Sequence, residues 1–191
     1  MRLETLGTIF EVDRELWNGL VAGAPFVGWD WLACLEASGV ASSQNDWRPC
    51  HALLWDGAAP VAACPLYVRE EECLPDGEFV WEGSVLRACK STGRSYAPRA
   101  VVGVPWTPVS GRRLHLAPGS PDRLRAVFAQ HLVALAAQSG WASLNVQFCA
   151  PEDAAYLEEA GALVRLGWQY HWHQRSYGSF DDFLARLKSS R

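Results

Sequence analysis

Residues 48–70, RPCHALLWDGAAPVAACPLYVRE, restrict the fold of this chain more than any other segment. Two apolar runs flank Asp56-Gly57, and an Asp-Gly pair in that setting is a strong local signal for a β-hairpin. Pro60 and Pro65 cannot donate a backbone N–H, so we expect edges or bulges of the ladder near them. The segment therefore predicts an antiparallel strand pair in the first half of the chain.

Helices and further strands are predicted on both sides of this hairpin. The apolar spacing and cap residues predict helices over 14–23 (N-cap Asp13), 28–39, 121–139 (N-cap Ser120), 151–160 and 180–191 (N-cap Ser179). Strands are predicted over 7–12, 99–109, 112–117, 142–149 and 162–177, and residues 69–98 carry no regular pattern. These elements predict one mixed α/β (α+β) domain with a single, largely antiparallel sheet flanked by helices.

Composition excludes several classes of protein. The 191 residues are 49% hydrophobic and 20% charged, which is typical of a globular domain and not of a disordered chain. A net charge of −4 argues against nucleic-acid binding. No apolar run is long enough to span a bilayer, and the first residues lack the apolar core of a signal peptide. Six cysteines without paired spacing fit a reducing compartment, so we expect a cytoplasmic protein.

Two compositional features leave alternatives open. The ten tryptophans either fill the core and its rim or line a cleft for a sugar, base or peptide. Residues 83–121 contain no Asp or Glu but include Arg87, Lys90, Arg94, Arg99, Arg112 and Arg113. That stretch either faces a phosphate or carboxylate or forms a solvated basic face that pairs with acids elsewhere.

Few side chains form a pattern that predicts chemistry. His171 and His173 lie two apart on a predicted strand, where they could hold a metal, contact a polar substrate or have no chemical role. A third metal ligand is not evident, so no metal site is predicted. Glu78 and Glu82 flank Trp81, and an aromatic neighbour can raise a carboxylate pKa into the range of a general base. Nucleophile-elbow, Walker and dinucleotide motifs are absent from the sequence.

Five segments, in this order, resemble the bacterial FemAB-like, GNAT-related acyltransferases that are labelled peptidoglycan biosynthesis/recognition. They are PFVGWDWLACLEASG (25–39), WRPCHALLWDG (47–57), GEFVWE (77–82), YAPRAVVGVPWTPVSGRRL (96–114) and GWQYHWHQRSYGSFDDFLARLKSSR (167–191). VPWTPVSG and QYHWHQRSYGSFDDFLARL are the most specific parts.

The resemblance implies a GNAT-type fold in which two such halves are fused around a cleft. This chain resembles the first half, so the tail helix 180–191 would lead into a second GNAT-like half; a homodimer is the other arrangement that would cover it. No cofactor is established from the sequence, and acyl-coenzyme A is the donor that would be compatible with the resemblance. However, HLAPGSPD, before the helix at 121, lacks the glycine-rich pyrophosphate loop of that family, and REEECLPDGEF departs from the family's more basic version.

Two functions follow from the resemblance. The first is an N-acyl- or aminoacyltransferase-like protein acting on an amine of a peptide, amino acid or cell-wall precursor, with this half shaping the acceptor site. Arg99 would bind an anionic group, Trp106 and Thr107 would form the cleft wall, and His171, His173 and Tyr177 would be polar contacts. Glu78 or Glu82 would be the base. The second is a non-catalytic recognition or scaffolding module without coenzyme A. Trp106 could equally be core packing between two prolines.

Overall fold

The computed structural model describes residues 1–21, 23–71, 80–167 and 170–187. The strands are β1 (Arg2–Leu6), β2 (Arg48–Pro49), β3 (His51–Asp56), β4 (Ala59–Cys64), β5 (Leu66–Arg69), β6 (Arg99–Val102), β7 (His115–Leu116) and β8 (Ser143–Val146). The α-helices are α1 (Arg14–Leu20), α2 (Trp29–Ala37), α3 (Val80–Ser91), α4 (Leu124–Gln138), α5 (Pro151–Glu159) and α6 (Phe180–Ala185). Short 3₁₀-helices lie at Ile9–Glu11, Pro25–Val27 and Ser43–Asn45.

The predicted hairpin is confirmed, and it connects two sheets. Its turn has Gly57 at φ +59°, a conformation that glycine adopts without strain. The register is continuous from the Ala52–Cys64 pair to the Pro49–Tyr67 pair, and between them the Cys50 N–H donates to the Leu66 carbonyl (2.8 Å). The two four-stranded sheets, β1-β3-β4-β7 and β2-β5-β6-β8, are therefore built on the two halves of one long hairpin.

Antiparallel pairing dominates both sheets. Among the described strand pairs, only β6 with β8 is parallel, and α4 lies in the connection between those two strands, as a parallel pair requires. The predicted mixed α/β fold with largely antiparallel strands and flanking helices is thus confirmed, with two linked sheets instead of one.

The hairpin is buried on both faces. Leu54 packs with Phe128 and Leu132 of α4 in one core, whereas the adjacent Leu53 packs with Trp17 and Leu32 of the α1–α2 side in another. Because neighbouring strand residues point to opposite faces, each needs an apolar side chain. This explains the near-continuous apolar runs of the hairpin sequence and gives three layers, with helices on either side of the sheet.

Two predictions in the first hundred residues are wrong in their boundaries. The strand expected over 7–12 lies earlier, as β1, and Ile9–Glu11 form a 3₁₀-helix whose Ile9 is fully buried. The region 69–98 was expected to be irregular, but it contains α3. Gly83 and Ser84 lower the local helix propensity, which is why the sequence alone did not indicate this helix.

The α4 helix begins later than predicted. Residues 121–123 form a turn, in which the Leu124 N–H donates to the Pro121 carbonyl (2.9 Å), and Ser120 does not cap the helix. The apolar spacing that predicts this helix is confirmed, since Leu124, Phe128 and Leu132 form a stripe on one side that is buried in the core.

The strand expected over 162–177 is not formed in the described residues 162–167 and 170–177. A strand needs partners for its backbone groups, and this segment pairs with no strand in the described part of the chain. The following helix is confirmed as α6, with the Ser179 hydroxyl accepting the Asp182 N–H (3.1 Å). It ends at Ala185, with Arg186 as its C-cap, so the predicted helix over 180–191 is wrong for residues 186 and 187; residues 188–191 lie outside the described residues. No described helix is both long and apolar enough to cross a membrane.

Candidate functional site

A pocket of 180 Å³ lies where the loop after β6 meets the 3₁₀-helix Pro25–Val27. Its lining combines apolar side chains with hydroxyl groups and two arginines. The lining residues are Ala24, Pro25, Phe26, Val27, Val104, Thr107, Val109, Ser110, Gly111, Arg112 and Arg113. An apolar pocket with a few polar groups is the usual form of a small-molecule site.

The loop at this pocket is shaped by its prolines. Pro105 and Pro108 have no N–H to donate, so β6 cannot continue through them. The chain turns instead, with the Thr107 N–H donating to the Val104 carbonyl (3.2 Å) and the Thr107 hydroxyl donating to the Pro105 carbonyl (2.9 Å). Trp106 adopts φ +56° at the tip. Such a conformation in a bulky residue is uncommon and is enriched at binding sites.

A second set of backbone hydrogen bonds attaches the end of this loop to the segment after β8. The Gly111 N–H donates to the Phe148 carbonyl (3.0 Å), and the Ala150 N–H donates to the Gly111 carbonyl (2.8 Å). These bonds hold Gly111 beside the N-terminus of α5.

The guanidinium of Arg113 is buried at this pocket, with only 4% of the residue exposed. Its Nε–H donates to the Gln147 carbonyl (2.9 Å), Nη1–H to the Arg112 carbonyl (3.1 Å) and Nη2–H to the Val109 carbonyl (2.5 Å). Burial lowers the pKa of Arg113 from its ordinary value, because a low-dielectric surrounding disfavours the charged form. The side chain therefore ties the loop to the sheet and brings a positive charge to the pocket.

Asp153 of α5 organises the arginines behind the pocket. Its carboxylate is fully buried and accepts the backbone N–H of Arg113 (2.6 Å) and of Leu114 (3.0 Å). The same carboxylate pairs with Arg112 Nη1 at 3.2 Å and with Arg125 Nε at 3.5 Å. One acid thus fixes the backbone of the 112–114 segment and balances guanidinium charge from two elements.

His115 follows this segment on β7 and is neutral at pH 7. Burial lowers its pKa from 6.5 to about 4, and its Nε2 has no hydrogen-bond partner in the described part of the chain. Burial likewise raises the pKa of the nearby Cys149 thiol, which favours the unreactive protonated form.

Of the predicted site residues, Thr107 lines this pocket. Trp106 precedes it in the chain and is not a lining residue, and 59% of its surface is exposed. That exposure excludes the alternative in which Trp106 packs in the core. Trp17 and Trp47, in contrast, are buried in the core, and among the described residues no tryptophan lines this pocket.

Arg99 lies elsewhere, at the other end of β6. Its side chain is fully buried, its Nη1–H donates to the Glu71 carbonyl (2.9 Å), and its guanidinium lies 5.3 Å from the centre of the Tyr96 ring. Val104 follows Arg99 by five positions along the chain, a rise of roughly 16 Å for an extended strand. The basic residues in 83–121 were expected either to face an anion or to form a solvated face. The second interpretation is wrong for Arg99 and Arg113, since both are buried.

The predicted residues of the tail form a separate group and do not line the pocket. His171 and His173 are exposed, with ring centroids 6.4 Å apart. Tyr177 contacts the Phe183 ring at 5.4 Å and the Arg186 guanidinium at 5.1 Å. Among the described residues, no group of three His, Cys, Asp or Glu side chains could hold a metal ion.

The predicted bases cannot be placed at the pocket. Glu78 lies outside the described residues, and Glu82 is described only as a backbone position in the first turns of α3.

Arg112 and Arg113 line the pocket although no sequence pattern predicted them as site residues, and the same holds for residues 25–27. The acid-free stretch 83–121 was the available signal for the two arginines. Nothing in the sequence indicated that residues 25–27 would face them.

A second, larger cavity of 370 Å³ lies at the turn end of the hairpin, lined by Met1, Asp56, Val61, Ser120, Pro121, Arg123, Leu124 and Val127. Its charged lining residues, Asp56 and Arg123, are exposed. The cavity lacks the buried cation found at the first pocket, which is therefore the better candidate site.

The N-terminus of α4 does not fit a coenzyme A pyrophosphate. The Leu124 and Arg125 N–H groups already donate to the Pro121 and Asp122 carbonyls, at 2.9 Å each. The exposed acid Asp122 would also repel a phosphate at this position.

Comparison with known proteins gives one structure and one family. A solved structure of aminoglycoside 6'-N-acetyltransferase AAC(6')-Ig from Acinetobacter haemolyticus, in its apo form, is similar at 9% sequence identity and a TM-score of 0.46. The match covers 92% of this chain and 100% of that one. No curated protein matches this chain significantly. The model of the FemAB-like family, described as peptidoglycan biosynthesis/recognition, matches residues 8–191, and the chain therefore belongs to the FemAB-like family.

Proposed function

We propose that this protein acts in the transfer of an acyl or aminoacyl group to an amine of a peptide, amino acid or cell-wall precursor, and that the 24–27/104–113 pocket shapes the acceptor site. The observation that carries the proposal is a family match that spans the pocket-forming residues. The pocket's mixture of apolar, hydroxyl and cationic groups suits the end of a peptide-like acceptor.

The chemistry would depend mainly on positioning. Amide formation needs the amine held near the acyl carbon in a reactive geometry, a base for the amine proton and a donor to the carbonyl oxygen. Thr107 and Trp106 would hold the acceptor at the pocket, and Glu78 or Glu82 remains the proposed base. Contacts of Arg99, His171, His173 and Tyr177 with a substrate also remain proposals. No step is assigned to coenzyme A, because the α4 N-terminus offers no cradle for it.

The tail is proposed to contact a second GNAT-like half or a second copy of this chain. Supporting this, the exposed fractions of Phe180, Leu184 and Leu187 are 70%, 45% and 55%, although these residues form one face of the predicted helix. Large exposed apolar surfaces often mark interaction sites.

A non-catalytic recognition module is the second candidate. The observation in its favour is the α4 N-terminus, where the Leu124 and Arg125 amides donate to local carbonyls. In this alternative the same pocket would bind a cell-wall precursor without transferring a group to it.

A thermal-shift titration with acetyl-coenzyme A, free coenzyme A and a peptidoglycan precursor tests the proposal. A ligand that binds only the folded state adds about 2.7 kcal/mol of stability at one hundred times its Kd. We expect a shift with the precursor, reduced in Trp106→Ala but not in Phe10→Ala, which removes an exposed aromatic ring elsewhere. Amide product formed from an acyl donor would then distinguish the transferase from the recognition module. No shift with the precursor would contradict both.

A further inference from the structure

The positive charge of Arg113 lacks a direct carboxylate partner in the described part of the chain. An arginine side chain has five N–H donors, and the three hydrogen bonds of this guanidinium all go to neutral backbone carbonyls. One N–H on Nη1 and one on Nη2 therefore remain. Burying a cation without an anion is costly, so such a group indicates a site for a negatively charged ligand.

The nearest acid is already occupied. Asp153 bonds the backbone N–H of Arg113 rather than its guanidinium, and its other oxygen pairs with Arg112. The side chain of Arg112 is 41% exposed, and its Nη2 lies 4.0 Å from Oε2 of Glu152. The charge of Arg113 is thus balanced only at longer range.

Arg113 lines the pocket, and its Nη1 is 3.6 Å from the position that a Cβ on Gly111 would occupy. Gly111 also lines the pocket, and without a side chain it does not cover Nη1. The apolar residues Val27 and Val104 complete the surroundings, and a low-dielectric surrounding strengthens an ion pair.

The size of the pocket limits the ligand. Its 180 Å³ is below the ~300–1,000 Å³ that a drug-sized ligand occupies, so it can hold only one end of a larger molecule. The N–H donors that remain on Nη1 and Nη2 can bond the oxygens of a carboxylate, the anion that a guanidinium binds best by geometry.

We infer that the pocket binds the free carboxylate of a ligand with a small apolar side chain, with Arg113 as the carboxylate-binding residue. The inference rests on the proposed function for the pocket's role as an acceptor site. It narrows the acceptor to molecules that keep a free carboxylate, such as a peptide C-terminus. Burial lowers the pKa of Arg113, and a bound carboxylate would oppose this effect because a nearby anion favours the charged guanidinium.

Nuclear magnetic resonance titration of the ¹⁵N-labelled chain with N-acetylvaline and with N-acetylvaline amide tests this inference. The two probes share size and side chain and differ in charge. We expect the acid to bind at least tenfold more tightly than the amide and to shift the Arg113 Nε–H signal and the Gly111 backbone amide. Titration with inorganic phosphate separates a carboxylate site from a general anion site: tighter binding of phosphate than of N-acetylvaline would overturn the assignment.

Variants localise the effect. Arg113→Gln should abolish the preference for the acid, but this change also removes hydrogen bonds that hold the loop. Gly111→Ala is the gentler test, because the new Cβ meets Nη1 at an ordinary contact distance while covering it. We expect Gly111→Ala to weaken the binding of N-acetylvaline at least fivefold. Arg123→Gln, at the second cavity, should leave binding unchanged.

Equal binding of acid and amide would overturn the inference, and so would no binding of either. Unchanged N-acetylvaline binding in Gly111→Ala, or an unchanged preference for the acid in Arg113→Gln, would also overturn it. Selective binding in a chain that transfers no acyl group would retain the carboxylate site and reject the transferase. Transfer at equal rates to acceptors with and without a carboxylate would retain the transferase and reject the carboxylate site.

Discussion

Replacing Asp153 by asparagine should destabilise the fold, because this fully buried carboxylate holds both the backbone and the arginines behind the pocket. The substitution keeps the size of the side chain but removes its charge and presents an amide N–H group to existing donors. Arg112 and Arg125 would lose an anionic partner, the latter with a side chain only 13% exposed.

The expected loss of unfolding free energy follows from these contacts. Removing one partner of a buried ion pair costs about 3–5 kcal/mol. Arg125 retains its pair with Asp122, so we expect a value near the lower end, about 3 kcal/mol. For a chain of this size that corresponds to a fall in Tm of roughly 6–12 °C.

Urea unfolding followed by circular dichroism, at pH 7, measures the loss. Asp122→Asn is the matched control, because it removes the other acid of Arg125, and that acid is 77% exposed. Exposed pairs contribute about 0–1 kcal/mol, so the control should change little. A loss below about 1 kcal/mol for Asp153→Asn, or equal losses in the two variants, would refute the role assigned to this carboxylate.

Three further results are expected. As the pH falls from 6.5 to about 4, the free energy of unfolding should decrease by up to about 1.4 kcal/mol per pH unit, because His115 binds a proton in the unfolded chain but not in the folded one. His115→Phe should flatten this slope, and an unchanged slope would exclude His115 as its source. Burial raises the pKa of Glu36, but hydrogen bonds from His51, Thr8 and the Ile9 N–H outweigh it and lower the pKa overall. The stabilisation that Glu36 contributes should therefore be present above pH 4.5 and be lost as the pH falls through its lower folded pKa. Glu36→Gln should remove that acid-limb loss in pH-dependent urea unfolding, and an identical acid limb in both proteins would contradict the assignment. Gly57→Ala, at φ +59°, should destabilise by about 1–2 kcal/mol in the same assay, whereas Gly19→Ala inside α1, with open space around its Cβ, should be neutral or stabilising; equal effects would contradict the turn argument.

Local signals predicted most elements correctly. The Asp56-Gly57 turn, the cap at Asp13 and the apolar stripe of α4 each depend on residues close together in the chain. Such signals failed where a partner was required: the segment 162–177 has strand-forming residues, but no described strand lies beside it to pair with. They also failed for α3, where glycine and serine weaken the pattern.

The sequence by itself determined the hairpin, the helices around it other than α3, and the concentration of cations in residues 83–121. It did not determine which of those cations are buried or what they face. Arg113 meets Gln147 and Asp153 only when the loop packs against the α5 region, across 34 and 40 residues of chain. Because such contacts depend on how distant elements pack, the tertiary structure alone decided that Arg113 lines a pocket beside Pro25–Val27 while Arg99 is buried at the other end of β6.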